Sequence, residues 1–375
     1  MPDPRKHFFS PSLVHRLAGD VARVHPAFPR DLFLADALAT LEARELLDRS
    51  RHIARALAKH LPRGYPAAVD VLIRSLGPEH ATDELLGTGM DRFYYLPHVQ
   101  FVAEHGLEHF DLSLDAQREL TKRFSAEFSI RAFIARDPER TFAAFERWAF
   151  DRDAHVRRLV SEGTRLRLPW AARVAWLDRN PERIVALLEL VKDDPTTLVR
   201  RSVANNLNDL GKSHPELLRA TCVRWLEGAG AERRKLIAHA LRSALRRGEA
   251  GAHSLLGYGS RASVVVEEVR IAPTNVPIGE RVAVTVTLRS TARSAQSLSV
   301  DLVVHFVKAS GMARPKVFKV KRLELAPHAS AELRTTVSLA VHSTRKPRPG
   351  RHAIEIRVNG VAFPAGSFEV TVARP

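Results

Sequence analysis

Asp137-Pro138-Glu139-Arg140, followed by Val156-Arg157-Arg158-Leu159-Val160, is answered 43 positions later by Asn180-Pro181-Glu182-Arg183 and Val199-Arg200-Arg201-Ser202-Val203. Two matched stations at one offset define a repeat. Each unit opens on Asp-Pro or Asn-Pro, which suits a helix start because proline lacks an amide hydrogen that the first turn leaves unsatisfied anyway. A first helix follows, then a turn, then a second helix beginning near Val-Arg-Arg. On the wheel of that second helix, Val156, Leu159, Val160 and Gly163 share one face while Arg158, Glu162 and Arg165 share the other. In the next unit Val199, Val203, Leu207 and Leu210 form the apolar face, and Arg201, Asn205 and Asp209 the polar one.

The period lies in the range of HEAT and armadillo repeats, roughly 40–47 residues. Helix pairs of this kind stack into a solenoid whose concave face is lined by the second helices. Residues up to about 255 share the helical texture, rich in alanine, leucine and arginine. Beyond a glycine-rich joint at 248–259 the pattern changes. Segments 263–269, 281–288, 298–307, 316–325, 331–341, 352–358 and 367–372 are rich in valine, threonine and alternating patterns, with turn residues between them. The expected fold class is multidomain, α then β. An α-solenoid of HEAT-like repeats occupies 1–255, and an immunoglobulin-like β-sandwich without paired cysteines occupies 256–375.

Charge points to a polyanionic partner. The chain holds 58 Lys+Arg against 42 Asp+Glu, a formal charge of +16, and each phosphate neutralised by Lys or Arg releases condensed counterions. The surplus is unevenly shared: residues 261–375 hold 18 Lys+Arg and 8 Asp+Glu, so this smaller part carries most of it. Its densest point is Arg345-Lys346-Pro347-Arg348-Pro349-Gly350-Arg351, a proline-stiffened loop between two predicted strands. Arg345, Lys346, Arg348 and Arg351 are candidate phosphate contacts, the plainer alternative being a solvated basic loop.

Several function classes drop out. Cys222 is the sole cysteine, which excludes an internal disulfide and a cysteine-based zinc site; it is expected in the core. His105 and His109 lie four apart but lack the further ligands of a metal centre, so no metal is expected. Gly87-Thr88-Gly89 lacks a Walker lysine and reads as a turn, and Tyr94-Tyr95-Leu96-Pro97 and Trp148 as core packing. With neither a signal-peptide layout nor an apolar run near the roughly 18–20 residues of a membrane span, a cytoplasmic protein without membrane contact is expected.

Each repeat offers an arginine plus a carboxylate or amide at four-residue spacing on its exposed inner face. Ordinary surface ion pairs would explain this at ~0.2–0.5 kcal/mol each. In a groove built for phosphates, however, a carboxylate weakens binding unless it has another task. On the wheel Arg158 and Arg201 share that inner face and are candidate contacts to the phosphates of a polyanion, with Arg157 and Arg200 next to them as further phosphate candidates.

The sequence resembles the AlkC-type DNA glycosylases. The resemblance rests on Phe124-Ser125-Ala126-Glu127-Phe128-Ser129-Ile130-Arg131-Ala132-Phe133, on Ser161-Glu162-Gly163-Thr164-Arg165 with Leu168-Pro169-Trp170, and on the run from Val199 to Asp209 that ends Ala204-Asn205-Asn206-Leu207-Asn208-Asp209. It covers nearly the whole chain and departs at Arg165-Leu166, where the family pattern has proline second. It implies excision of cationic N3-alkylated bases, chiefly 3-methyladenine and 3-methylcytosine, from double-stranded DNA, without metal or organic cofactor. The family's acidic positions match Glu127, Glu162 and Asp209, and its lesion-contacting aromatic matches Trp170.

The chemistry suits those residue types. Alkylation at N3 makes the base a good leaving group and the departing sugar oxocarbenium-like, so a preorganised carboxylate stabilises the cation and positions a water. Asp209 is the first choice for the water, with Glu162 and Glu127 stabilising the cationic base or sugar. No lysine stands out as an amine nucleophile, so a monofunctional enzyme, acting as a monomer, is expected. Two alternatives stay open: a non-catalytic HEAT-repeat protein recognising damaged or branched DNA, and a protein–protein adaptor.

Overall fold

The computed structural model describes residues 5–80, 91–249, 251–258, 262–342 and 346–372. Gly87-Thr88-Gly89 and Arg345 lie outside them. The chain forms two compact units, Met1–Ala240 and Leu241–Pro375.

The first unit begins with α1 (Pro11–Val24), α2 (Arg30–Leu38), α3 (Leu46–His60) and α4 (Tyr65–Arg74). It continues with α5 (Leu96–His105), α6 (Phe110–Thr121), α7 (Ile130–Arg136), α8 (Pro138–Trp148) and α9 (Ala154–Glu162). It closes with α10 (Ala175–Arg179), α11 (Pro181–Val191), α12 (Thr197–Leu210), α13 (Pro215–Leu226) and α14 (Ala231–Ala240). Among the described residues no helix is long and apolar enough to cross a membrane.

The 43-residue repeat is the pair α8–α9 followed by α11–α12, and α13–α14 adds a third pair. The second helices pack in series, α9 on α12 and α12 on α14, while α8 packs on α11. Val156, Leu159, Val160, Val199, Val203, Leu207 and Leu210 are all fully buried, as their wheel positions require. Each second helix starts two residues before its Val-Arg-Arg. Asp137 caps α8 by accepting from the Arg140 amide at 3.1 Å. Asn180 does not cap α11; its Nδ2 instead donates to the Trp176 carbonyl at 2.8 Å. Cys222 and Trp148 are core residues, and Tyr94 is buried with its hydroxyl donating to Asp20 at 2.6 Å.

Arg157 and Arg200 correct an expectation. Both were candidate phosphate ligands, and both are committed to the scaffold. Arg157 Nη1 donates to the carbonyls of Asp151 and Arg152, while its Nε and Nη2 donate to the carboxylate of Asp194. Arg200 repeats the arrangement one unit later, on the carbonyls of Asp194 and Pro195 and on the carboxylate of Glu232. Each guanidinium thus folds back on its own inter-helix turn and reaches into the next one, pinning successive repeats together.

Among its described residues the second unit contains a last short helix, α15 (Arg242–Arg247), and eight strands: β1 (Val264–Ala272), β2 (Asn275–Pro277), β3 (Arg281–Ser290), β4 (Gln296–Val307), β5 (Ala313–Leu325), β6 (Ser330–Ser338), β7 (Gly350–Val358) and β8 (Val361–Thr371). One sheet has the order β1-β3-β6 and the other β2-β8-β7-β4-β5. On β3 the side chains of Val282, Val284, Val286 and Leu288 alternate inward, and with Leu302, Val304, Ile354, Ile356 and Phe368 they form one core shared by both sheets. β8 starts six residues before the predicted segment at 367. The missed signal is Asn359-Gly360, whose φ values of 48° and 85° make the tight turn between β7 and β8. An Asn-Gly pair favours this turn because both central residues need positive φ.

Replacing Arg157 with alanine leaves the buried Asp194 carboxylate with the Thr196 amide and hydroxyl but without its cation. The Arg157→Ala variant should lose about 3 kcal/mol of stability in denaturant titration, as when a buried pair is broken from one side. A loss of only a few tenths would show that the inter-repeat pin is incidental.

Candidate active site

Glu162 ends α9, and Gly163 after it has no room for a side chain: an added Cβ would lie 2.8 Å from Ile130 Cγ2 and 3.1 Å from the Leu159 carbonyl. The glycine lets the helix end seat against α7, fixing where Glu162 and the following loop point. Arg158 stands one turn earlier on α9. Glu127 lies in the turn before α7, Arg165 and Trp170 in the loop after α9, and Asp209 near the end of α12.

These side chains form one chain of alternating charge. Glu127 Oε2 is 3.1 Å from Arg158 Nη1, and Arg158 Nη2 is 3.5 Å from Glu162 Oε1. Glu162 Oε1 also receives Arg165 Nη1 at 2.7 Å, and Arg165 Nη2 reaches Asp209 Oδ2 at 2.8 Å. Lys212 Nζ closes the series on Asp209 Oδ1 at 2.8 Å. Hydroxyls fill the remaining positions: Ser202 donates to Glu162 Oε2 at 2.5 Å and Ser125 to Glu127 Oε2 at 2.8 Å. Burial by itself would raise the Glu162 carboxyl, but Arg158, Arg165 and the Ser202 hydroxyl together hold it below its ordinary value. Burial opposes charge on Arg158 and Arg165 too, and the carboxylates beside each outweigh it, so both stay firmly protonated.

The chain borders a cavity of about 390 Å³. Glu127, Arg158, Glu162 and Arg165 line it on one side, and Phe93, Phe124, Phe128 and Trp170 supply aromatic surface. Phe93 packs edge-on against Phe124 at 5.4 Å and lies 6.2 Å from the Trp170 ring. Trp170 is 52 % exposed and has φ of 66°, a left-handed conformation unusual for a bulky residue. Its loop is held by Arg131, which sits buried on α7 and donates to the carbonyls of Gly163, Arg165 and Ala172.

The structure therefore brings Glu127, Glu162 and Trp170 to one cavity. Asp209 joins the charged chain, but it is 3 % exposed on its side chain and is not part of the cavity wall; Arg165 shields it. Arg158 was expected near a DNA backbone. Its guanidinium lies between two carboxylates inside the cavity. Arg201 is different: it is exposed, has no ion-pair partner among the described residues, and lines a cavity of about 230 Å³ between α12 and α14 with Lys235 and His239. In the second unit Lys346, Arg348 and Arg351 are exposed, and Arg351 Nε donates to Ser367 Oγ at 2.9 Å.

Sequence reasoning gave no role to Ser202, Lys212, Phe93 or Arg131. Ser202 and Lys212 serve through contacts 40 and 3 residues away, and the first kind leaves no local trace. Arg131 was visible as a charge within an apolar run, the one signal that it would be buried and bonded.

The depressed Glu162 carboxyl gives a pH test. A carboxylate whose folded pKa lies below its ordinary 4.5 contributes stability above that pH and loses it as the pH falls through the folded value. The stability gap between wild type and Glu162→Gln should be full at neutral pH and should close on acidification below about 4.5. A gap that is constant with pH in denaturant titrations would show that the carboxylate's charge does not matter to the network.

Comparison with known proteins bears on the whole chain. Residues 265–372 match the family described as Uncharacterised protein YhaZ, C-terminal Ig-like domain. Over 367 residues, 97% of this chain and 99% of the other, the sequence is 30% identical to the Bacillus subtilis protein named Uncharacterized protein YhaZ. The solved structure of Pseudomonas fluorescens alkylpurine DNA glycosylase AlkC, bound to DNA containing an abasic site analog, matches with a TM-score of 0.89 and 34% identity, covering 98% of this chain and 100% of that one. With this extent of likeness in sequence and structure, the chain belongs to the AlkC family, helical-repeat proteins that end in an immunoglobulin-like domain.

Proposed function

We propose that the protein is a monofunctional DNA glycosylase that hydrolyses the N-glycosidic bond of cationic N3-alkylated bases, 3-methyladenine and 3-methylcytosine among them. The observation that carries this reading is the pair Glu127 and Glu162, two carboxyl groups facing aromatic surface in one cavity, with Glu162 held ionised by its neighbours. A phosphate-binding surface has no use for them; a site that must stabilise a cation does. The likeness to a DNA-bound alkylpurine DNA glycosylase supports the same reading.

In the proposed reaction the alkylated base sits against Trp170, whose ring face attracts a cation by ~0.5–2 kcal/mol. The carbon–nitrogen bond breaks with its electron pair going to the base, which leaves neutral. Glu127 and Glu162 lower the energy of the cationic sugar left behind. Asp209 positions the water, once Arg165 has turned from it toward a phosphate oxygen of the bound DNA. The water oxygen bonds to the sugar carbon, its proton passes to the carboxylate, and an abasic site remains. Arg201 with Lys235, and Lys346, Arg348 and Arg351 in the second unit, are the phosphate contacts in this reading; Arg345 joins them by sequence alone.

Duplex DNA carrying 3-methyladenine or 3-methylcytosine should release free base on incubation with the protein. Asp209→Asn and Glu127→Gln should each slow release by roughly 100-fold or more, the scale of losing one electrostatic contact to the transition state, with DNA affinity retained. Binding of such DNA without release of either base would sink the enzymatic reading. Arg201→Gln should weaken binding, flatten its salt dependence by about one phosphate contact and leave release from saturated complex unchanged; an unaltered salt slope would remove Arg201 from the interface.

A further inference from the structure

A second cavity, of about 330 Å³, also has Trp170 in its wall. Its size is in the range of small-molecule pockets, roughly 300–1,000 Å³. α3, α5, α7 and the segment after Trp170 build it, and Trp170 and Phe128 are common to its wall and to that of the carboxylate cavity. Leu47, Leu96, Val99 and Ala132 make it apolar. Gln100, Ser129 and Arg131 are polar members of the same lining. Arg51 and Arg173 also line the cavity; both are exposed, and neither has an ion-pair partner among the described residues.

We infer that this cavity takes one unstacked deoxynucleotide of the bound DNA, within one base step of the lesion. An aromatic wall offers a face for the base to stack on, and the two unpaired guanidinium groups receive the flanking phosphates. The charge at the rim decides for a nucleotide over a neutral heterocycle. The shared Trp170–Phe128 wall decides for a near neighbour of the lesion, since an occupant of this cavity is one aromatic ring away from the occupant of the other. The inference rests on DNA being the substrate, but it concerns a different nucleotide from the one cleaved.

The test is full-length protein with duplexes that carry an abasic-site analogue and a single 2-aminopurine, placed in turn at each nucleotide within one step of the analogue, including the opposite strand. At one position the fluorescence should change severalfold on binding. Filling the cavity with Ala132→Trp should abolish that change, and Arg51→Gln combined with Arg173→Gln should reduce it at saturating DNA and weaken binding about tenfold, as expected for two phosphate contacts. The two arginines are exposed, so the second variant keeps the test informative if the first fails to fold. No responsive position, or a response undiminished in the arginine variant, overturns the inference. Base release from alkylated DNA is measured alongside. Release without a 2-aminopurine response removes this site and leaves the glycosylase reading standing; a response without release removes the glycosylase reading and leaves this site.

Discussion

The helical unit is organised around an alternation of charge that runs from Glu127 through Arg158, Glu162, Arg165 and Asp209 to Lys212. Carboxylates taken out of water cost several kcal/mol each unless they are paired and hydrogen-bonded. Here each is engaged by at least one cation, and the two glutamates by a hydroxyl as well. The arrangement keeps negative charge available at a low-dielectric wall without leaving it unbalanced while the cavity is empty. In the proposed chemistry, a cationic base and an oxocarbenium-like sugar would meet carboxylates already ionised, and the arginines occupy the positive role until then.

Holding that alternation needs a rigid frame, and the frame is built largely from arginine. Arg157 and Arg200 pin one repeat to the next through turn carbonyls and a carboxylate, while Arg131 fastens the loop that carries Arg165 and Trp170. The planar guanidinium, with five donors, suits this work, since it satisfies several carbonyls at once. Part of the chain's high arginine content is therefore structural, and the net charge overstates how many cations are free for a polyanion.

The fold was legible because its signals are local or periodic. The offset between Asp137 and Asn180 identified the repeat, the valines of β3 announced a strand by simple alternation, and the change of texture near residue 250 separated helix from sheet. The start of β8 was missed only because Asn359-Gly360 was not read as a turn. Of the candidate site residues, Glu127, Glu162 and Trp170 share one cavity. What the sequence could not give was the partners of individual arginines. A helical wheel tells which face Arg157 occupies, but not that Asp194, 37 residues away, waits to receive it. Nor does it tell that Arg165 screens Asp209, since the loop after α9 is aperiodic.

The repeat has a last consequence, for how such a site could arise. Arg158 and Arg201 occupy equivalent stations in successive units, and so do Glu162 and Asn205. Where the first unit holds a carboxylate wedged between two guanidiniums, the second has an amide whose oxygen lies 3.1 Å from His239 Nε2, and its arginine is left unpaired. A tandem duplication supplies two copies of one geometry, and a single acid-to-amide difference is enough to divide their labour. In the proposed function one copy serves chemistry and the other grip, so that each can change without dismantling its twin.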